Sequence, residues 1–246
     1  MRGLYLTRTR FAGVFACLFT LGLVVASCGD DTDTTPRTAE QLAASLLAPT
    51  DLTGTWTPHQ APDQAPDEAS IDGVVSDEQQ DMLPRMDLCD KASDSAREAV
   101  SALQWKAFRQ LDLTVDDPID PPADRSGHIV FAQEFLTSGD IDDITASFDQ
   151  IRVGSDACLG DFPAGEEGPS TAATMVMPSL GDDRFAVLTT MGEAGGWAVW
   201  RLHQMVVREG STLMAFLVVE IHSTDTEPLY SNDDIAALVA AAVGQL

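Results

Sequence analysis

The pattern of apolar and polar positions is clearest in the last third of the chain. Arg184–Thr190, Trp197–Arg208 and Thr212–His222 are apolar at alternate positions or continuously, and Gly181-Asp182-Asp183 and Glu209-Gly210 stand between them. Runs of this kind, bounded by Gly and Asp, predict extended strands joined by tight turns. Thr174–Pro178 adds a short strand before them, and Gln104–Leu113 and Gly127–Thr137 predict two more upstream.

A helical period appears in four other places. Leu42, Leu46 and Leu47 mark a short helix over Ala39–Leu47. Ala92, Ala96, Ala99 and Val100 give Asp87–Leu103 a face of small residues. Ile144, Phe148 and Ile151 form the stripe of Ile141–Arg152, with Asp140 as its cap. Ile235, Leu238, Val239, Ala242 and Val243 line the last helix, capped by Ser231 with Asp233 and Asp234 in its first turn. Ala61–Glu68, Asp116–Asp124 and Phe162–Ser170 read as loops rich in Pro, Gly and acids. The predicted fold is α+β, a mostly antiparallel sheet of about six strands with helices packed on one face.

The N-terminus has a different pattern. Arg2, Arg8 and Arg10 precede an apolar run from Phe11 to Val25, which is short for a membrane-spanning helix and fits the apolar region of a secretory signal. The run ends at Val25-Ala26-Ser27-Cys28, which resembles the cleavage site of bacterial lipoproteins. That resemblance implies a leader over residues 1–27 and lipid on Cys28. It also implies a partner, the outer face of the cell membrane, reached through the lipid anchor. Residues 28–38 (CGDDTDTTPRT) read as a flexible acidic tether, and 39–246 as a single extracytoplasmic domain.

Composition narrows the partners. The chain carries a formal charge of −25, and loss of residues 1–27 removes three arginines and no acid. Such a surface repels nucleic acid. With Cys17 in the leader and Cys28 lipidated, Cys89 and Cys158 remain. In an oxidising compartment they favour one disulfide over two separate buried thiols.

The chemistry of known sites is sparse. No nucleophile elbow, His-Glu-x-x-His, phosphate loop or calcium loop occurs, and nothing implies a metal or a cofactor. The acids of Asp116–Asp124 allow weak cation binding or a plain solvated loop. With Glu209-Gly210 as the turn, Arg208 would pair with Ser211. One face of the last hairpin, holding Trp200 and Leu202, then becomes the core face. The other carries Trp197, Arg201, His203, Glu220 and His222, with Trp197 opposite His222 and Arg201 diagonal to Glu220. This second face is a candidate ligand-binding surface, or a half-exposed sheet face with one cross-strand ion pair.

Several of these segments together resemble a known family. Leu46-Leu47 to Trp56 (LLAPTDLTGTW), the positions of Cys89 and Cys158, and the Pro178-Ser179-Leu180-Gly181-Asp182 turn are similar to small actinobacterial lipoproteins and to the PknH-like extracellular sensor domain. The resemblance covers roughly residues 40–246. It implies an extracytoplasmic antiparallel sheet with flanking helices, an open cleft, and non-catalytic ligand binding or sensing. A cell-envelope hydrolase with an unrecognised site and a protein-binding scaffold are the alternatives.

Overall fold

The computed structural model describes residues 35–59, 73–75, 89–115, 127–165, 168–192 and 198–246. The leader, Cys28, the start of the tether, the loops at 61–68 and 116–124, and Trp197 lie outside the described residues. The described strands are β1 (Trp56–Pro58), β2 (Gly73–Val74), β3 (Ala107–Leu113), β4 (His128–Ser138), β5 (Gly160–Gly165), β6 (Gly168–Thr174), β7 (Asp183–Gly192), β8 (Ala198–Glu209) and β9 (Thr212–Ser223). They form one sheet in the order β1-β3-β4-β9-β8-β7-β6-β5, with β2 also on β3, and the pairs are antiparallel. The sheet thus has nine described strands rather than about six.

The helices are α1 (Ala39–Ala44), α2 (Asp94–Ala102), α3 (Ile141–Ala157) and α4 (Asn232–Val243). Each starts at a side chain that accepts a hydrogen bond from a first-turn amide: Thr38, Ser93, Asp140 and Ser231. These oxygens satisfy amides that have no partner within the helix. Asp140 and Ser231 are the caps that the sequence indicates.

The helices cover both faces of the sheet, not one. Leu42 of α1 and Ile235, Leu238 and Val239 of α4 pack with Met205, Met214, Phe216 and Val218. On the opposite face, Val100 of α2 and Ile144, Phe148 and Ile151 of α3 pack with Phe135, Val206, Leu213 and Ala215. The cause lies in β9, whose run from Leu213 to Val219 is apolar at every position. A strand of that composition needs cover on both sides.

Two other expectations shift. The stretch from Gly160 to Thr174 is the β5–β6 hairpin at the sheet edge, and residues 175–178 follow it without strand structure. An edge tolerates Pro and Gly that a central strand does not. In the last hairpin, Glu209 pairs with Thr212 and Arg208 with Leu213, so the turn is Gly210-Ser211. The register moves by two positions, so each side chain keeps its face. Arg201 now lies directly opposite Glu220, and Val199 opposite His222.

The Pro178–Asp182 segment fixes that hairpin. Gly181 has φ +59, and a Cβ there would sit 2.5 Å from the Arg208 carbonyl oxygen and 2.6 Å from Val207 Cγ1. The close approach lets the Asp182 amide donate to the Arg208 carbonyl (2.8 Å) and the Gly210 amide donate to the Asp182 carboxylate (2.9 Å). Arg208 Nε also donates to Asp183 at 3.0 Å. Cys89 and Cys158 are bonded, with Cα atoms 5.4 Å apart. The bridge ties the segment before α2 to the C-cap of α3.

Candidate functional site

The expected site residues Arg201, His203, Glu220 and His222 do share one face of β8 and β9, but that face is buried beneath the α1–α4 layer rather than half-exposed. Arg201 Nη1 donates to Glu220 Oε2 at 3.2 Å and to the Tyr230 carbonyl at 2.9 Å. The other Glu220 oxygen accepts from the Leu229 amide. The ion pair thus ties the segment leading into α4 to the centre of the sheet. His222 Nδ1 lies 2.9 Å from the Ser223 carbonyl, and its ring stacks 6.0 Å from that of His128 on the neighbouring strand. These groups bind one another and the backbone.

Two ionisable groups on this face have shifted protonation. His203 is 0% exposed, and neither ring nitrogen has a hydrogen-bond partner among the described residues. Burial, aided by the nearby Arg201 guanidinium, lowers its pKa to about 4. Glu134 of β4 is also buried, and burial raises its pKa to about 7. The Leu47 amide, which donates at 2.7 Å, and the charge of Arg109 oppose that rise.

Protonation couples these groups to folding in opposite senses. His203 lies below its ordinary 6.5, so its contribution is full above that pH and is lost as pH falls towards about 4. Glu134 lies above its ordinary 4.5, so its contribution is full below that pH and is lost as pH rises through about 7. Each is worth about 3 kcal/mol over its range. Between 4.5 and 6.5 the two slopes offset one another. Glu134→Gln should therefore leave a protein whose urea midpoint climbs with pH in that window. His203→Leu should give one whose midpoint drops. If neither substitution changes the slope, the two groups are not coupled to folding in this way.

The opposite face carries exposed apolar side chains at one end. Phe135, Val206 and Leu213 lie under α2 and α3, but Ala198, Val219 and Ile221, themselves buried, form with Phe131 and Leu202 a separate cluster that among the described residues draws only on the strands. Trp200 is 40% exposed and Ile129 37% exposed on this same face. The register aligns Met191, Trp200, Ile221 and Ile129 in one row across β7, β8, β9 and β4. Leu202, Val219 and Phe131 form the next row, which runs on to Asp112 on β3 and Thr57 on β1. The face expected to be all core therefore ends in a small apolar shelf, on which Trp200 and Ile129 are the exposed members among the described residues.

The structure defines an α+β domain, an antiparallel sheet with helices on both faces and one disulfide. Among the described residues no group of His, Cys, Asp or Glu could hold a metal ion, and no helix is long and apolar enough to cross a membrane. No family model matches the chain, and no curated protein matches it. Its structure is similar to the extracellular domain of PknH from Mycobacterium tuberculosis, at 15% identity and a TM-score of 0.46, over 85% of this chain and 96% of that one. It is also similar to LpqN, a protein involved in cell envelope biogenesis of Mycobacterium tuberculosis, at 12% identity and a TM-score of 0.28, over 55% of this chain and 66% of that one. Neither likeness carries a functional argument.

Proposed function

We propose that the chain is a lipid-anchored extracytoplasmic domain that binds an apolar ligand on the open end of its sheet, without catalysis. The observation that carries this reading is the exposure of Trp200 and Ile129 at the rim of an apolar cluster that, among the described residues, is made of strand residues. Exposed apolar surface that forms one contiguous patch marks interaction sites more often than scattered apolar residues do. The Cys89–Cys158 disulfide supports an oxidising compartment. The sequence at Cys28 supports the anchor.

One preparation tests both parts. Cys28→Ala should move the protein from the membrane fraction to the soluble fraction, because the acyl chains supply the attachment. The soluble chain should then brighten the neutral apolar dye Nile red, and Trp200→Ala with Ile129→Ser should remove most of that signal while the melting temperature holds. Continued membrane retention of Cys28→Ala refutes the anchor. Undiminished dye binding in the double variant refutes the shelf.

A further inference from the structure

Beyond Phe131 the second row of this face turns polar, with Asp112 on β3 and Thr57 on β1. Gln133 Nε2 donates to Gln110 Oε1 at 2.9 Å, and Gln110 Nε2 donates to Asp112 Oδ1 at 3.2 Å. His59 Nδ1 lies 2.7 Å from Asp112 Oδ2. Each member holds the next, so both amides are set in place before any ligand arrives. Gln110, Gln133 and Asp112 are half-buried, and Thr57 and His59 are exposed, so solvent reaches this strip.

The strip offers donors and acceptors together. Among the described residues, the second N–H of each glutamine amide and the Thr57 hydroxyl are left to donate. The Gln133 carbonyl oxygen and the remaining lone pairs of Asp112 are left to accept. Asp112 is already paired with His59, so the strip does not single out a cation. An anion would meet the carboxylate and a chain of formal charge −25. A neutral hydroxyl suits both kinds of group, because one oxygen donates and accepts at once. Apolar side chains border the strip. Phe131 lies directly across from Asp112, and Ile129, two residues earlier on β4, is exposed.

We infer that this strip binds a neutral oligosaccharide, with sugar hydroxyls on Gln110, Gln133 and Asp112 and the C–H face of a ring against Phe131 and Ile129. A pyranose carries hydroxyls around its rim and C–H groups on its faces, so it meets amides edge-on and an aromatic ring face-on. The inference goes beyond apolar binding at the shelf and rests on the polar strip.

The probes are neutral tetrasaccharides (maltotetraose, cellotetraose, mannotetraose and tetraacetylchitotetraose), each titrated into the millimolar range with the full chain carrying Cys28→Ala. Tetragalacturonate and the glucosamine tetramer serve as the anionic and cationic counterparts. NMR follows the side-chain NH2 signals of Gln110 and Gln133. At least one neutral tetrasaccharide should move both signals to saturation, and the two charged probes should leave them in place. Gln133→Leu should weaken that binding about tenfold, the worth of a hydrogen bond, with Nile red binding unchanged. If no neutral tetrasaccharide moves the two amides, or a charged probe moves them as well as a neutral one, the assignment is overturned. Nile red binding by the same protein then reports on the shelf separately.

Discussion

Glu220→Ala is expected to lower the unfolding free energy by about 3–5 kcal/mol, the loss typical of removing one partner from a buried pair. Glu220 is 0% exposed and accepts both the Arg201 guanidinium and the Leu229 amide. Its removal leaves Arg201 charged and largely buried beside the Tyr230 carbonyl, with no carboxylate opposite. It also frees the segment that leads into α4, so the Leu229 amide should exchange its hydrogen faster. Arg201→Met combined with Glu220→Leu should recover much of the loss, because both charges then leave together. Urea denaturation of the three variants distinguishes the cases. A loss below 1 kcal/mol for Glu220→Ala would mean that water reaches the pair.

Reducing the Cys89–Cys158 bond should cost about 4 kcal/mol in the chain-entropy view. The bond closes a long stretch, its ends 69 positions apart in sequence. For a domain of this size that corresponds to a fall in melting temperature of roughly 10 °C. The α2–α3 layer should suffer first, because the bridge joins the entry of α2 to the end of α3 and the Cys89 carbonyl also accepts from Arg97 at 2.6 Å. Calorimetry with and without a reductant measures the shift. An oxidised and a reduced protein that melt together would show that the bridge adds nothing.

Much of this fold is legible in local signals. The caps at Asp140 and Ser231, the stripe of α3 and the strands from β7 to β9 follow from period and turn chemistry. The β5–β6 hairpin was hidden because its Gly and Pro content is that of a loop, and only its place at a sheet edge makes it a strand pair. The cover on both faces was signalled by the unbroken apolar run of β9, which carries no period and so does not say which side is core. The hydrogen-bonded chain of His59, Asp112, Gln110 and Gln133 has no comparable local signal. Its members come from β3, β4 and the residue just past β1, and only the pairing of β1 with β3 and β3 with β4 brings them together. Alternation within β3 and β4 does place Gln110, Asp112 and Gln133 on one face, and that was the available clue. Arg201, His203, Glu220 and His222 share one face of the hairpin, while Trp197 lies outside the described residues; the burial of the four depends on α4, which sequence pattern alone does not dock.

The position of β9 between β4 and β8 sets the order in which the domain is able to assemble. β4 ends at Ser138, and the strand that completes it begins at Thr212. A ribosome or a translocation pore releases the chain from its N-terminal end, so β3 and β4 emerge long before their central neighbour. During that interval β4 has a bare, apolar edge, of the kind that pairs with other chains. Closing the centre also demands contacts of high sequence separation, which are slow to form. The emerging chain therefore depends on staying extended, or on being held, until residue 223 is free; a truncation before that point removes the strand that joins the two halves of the sheet.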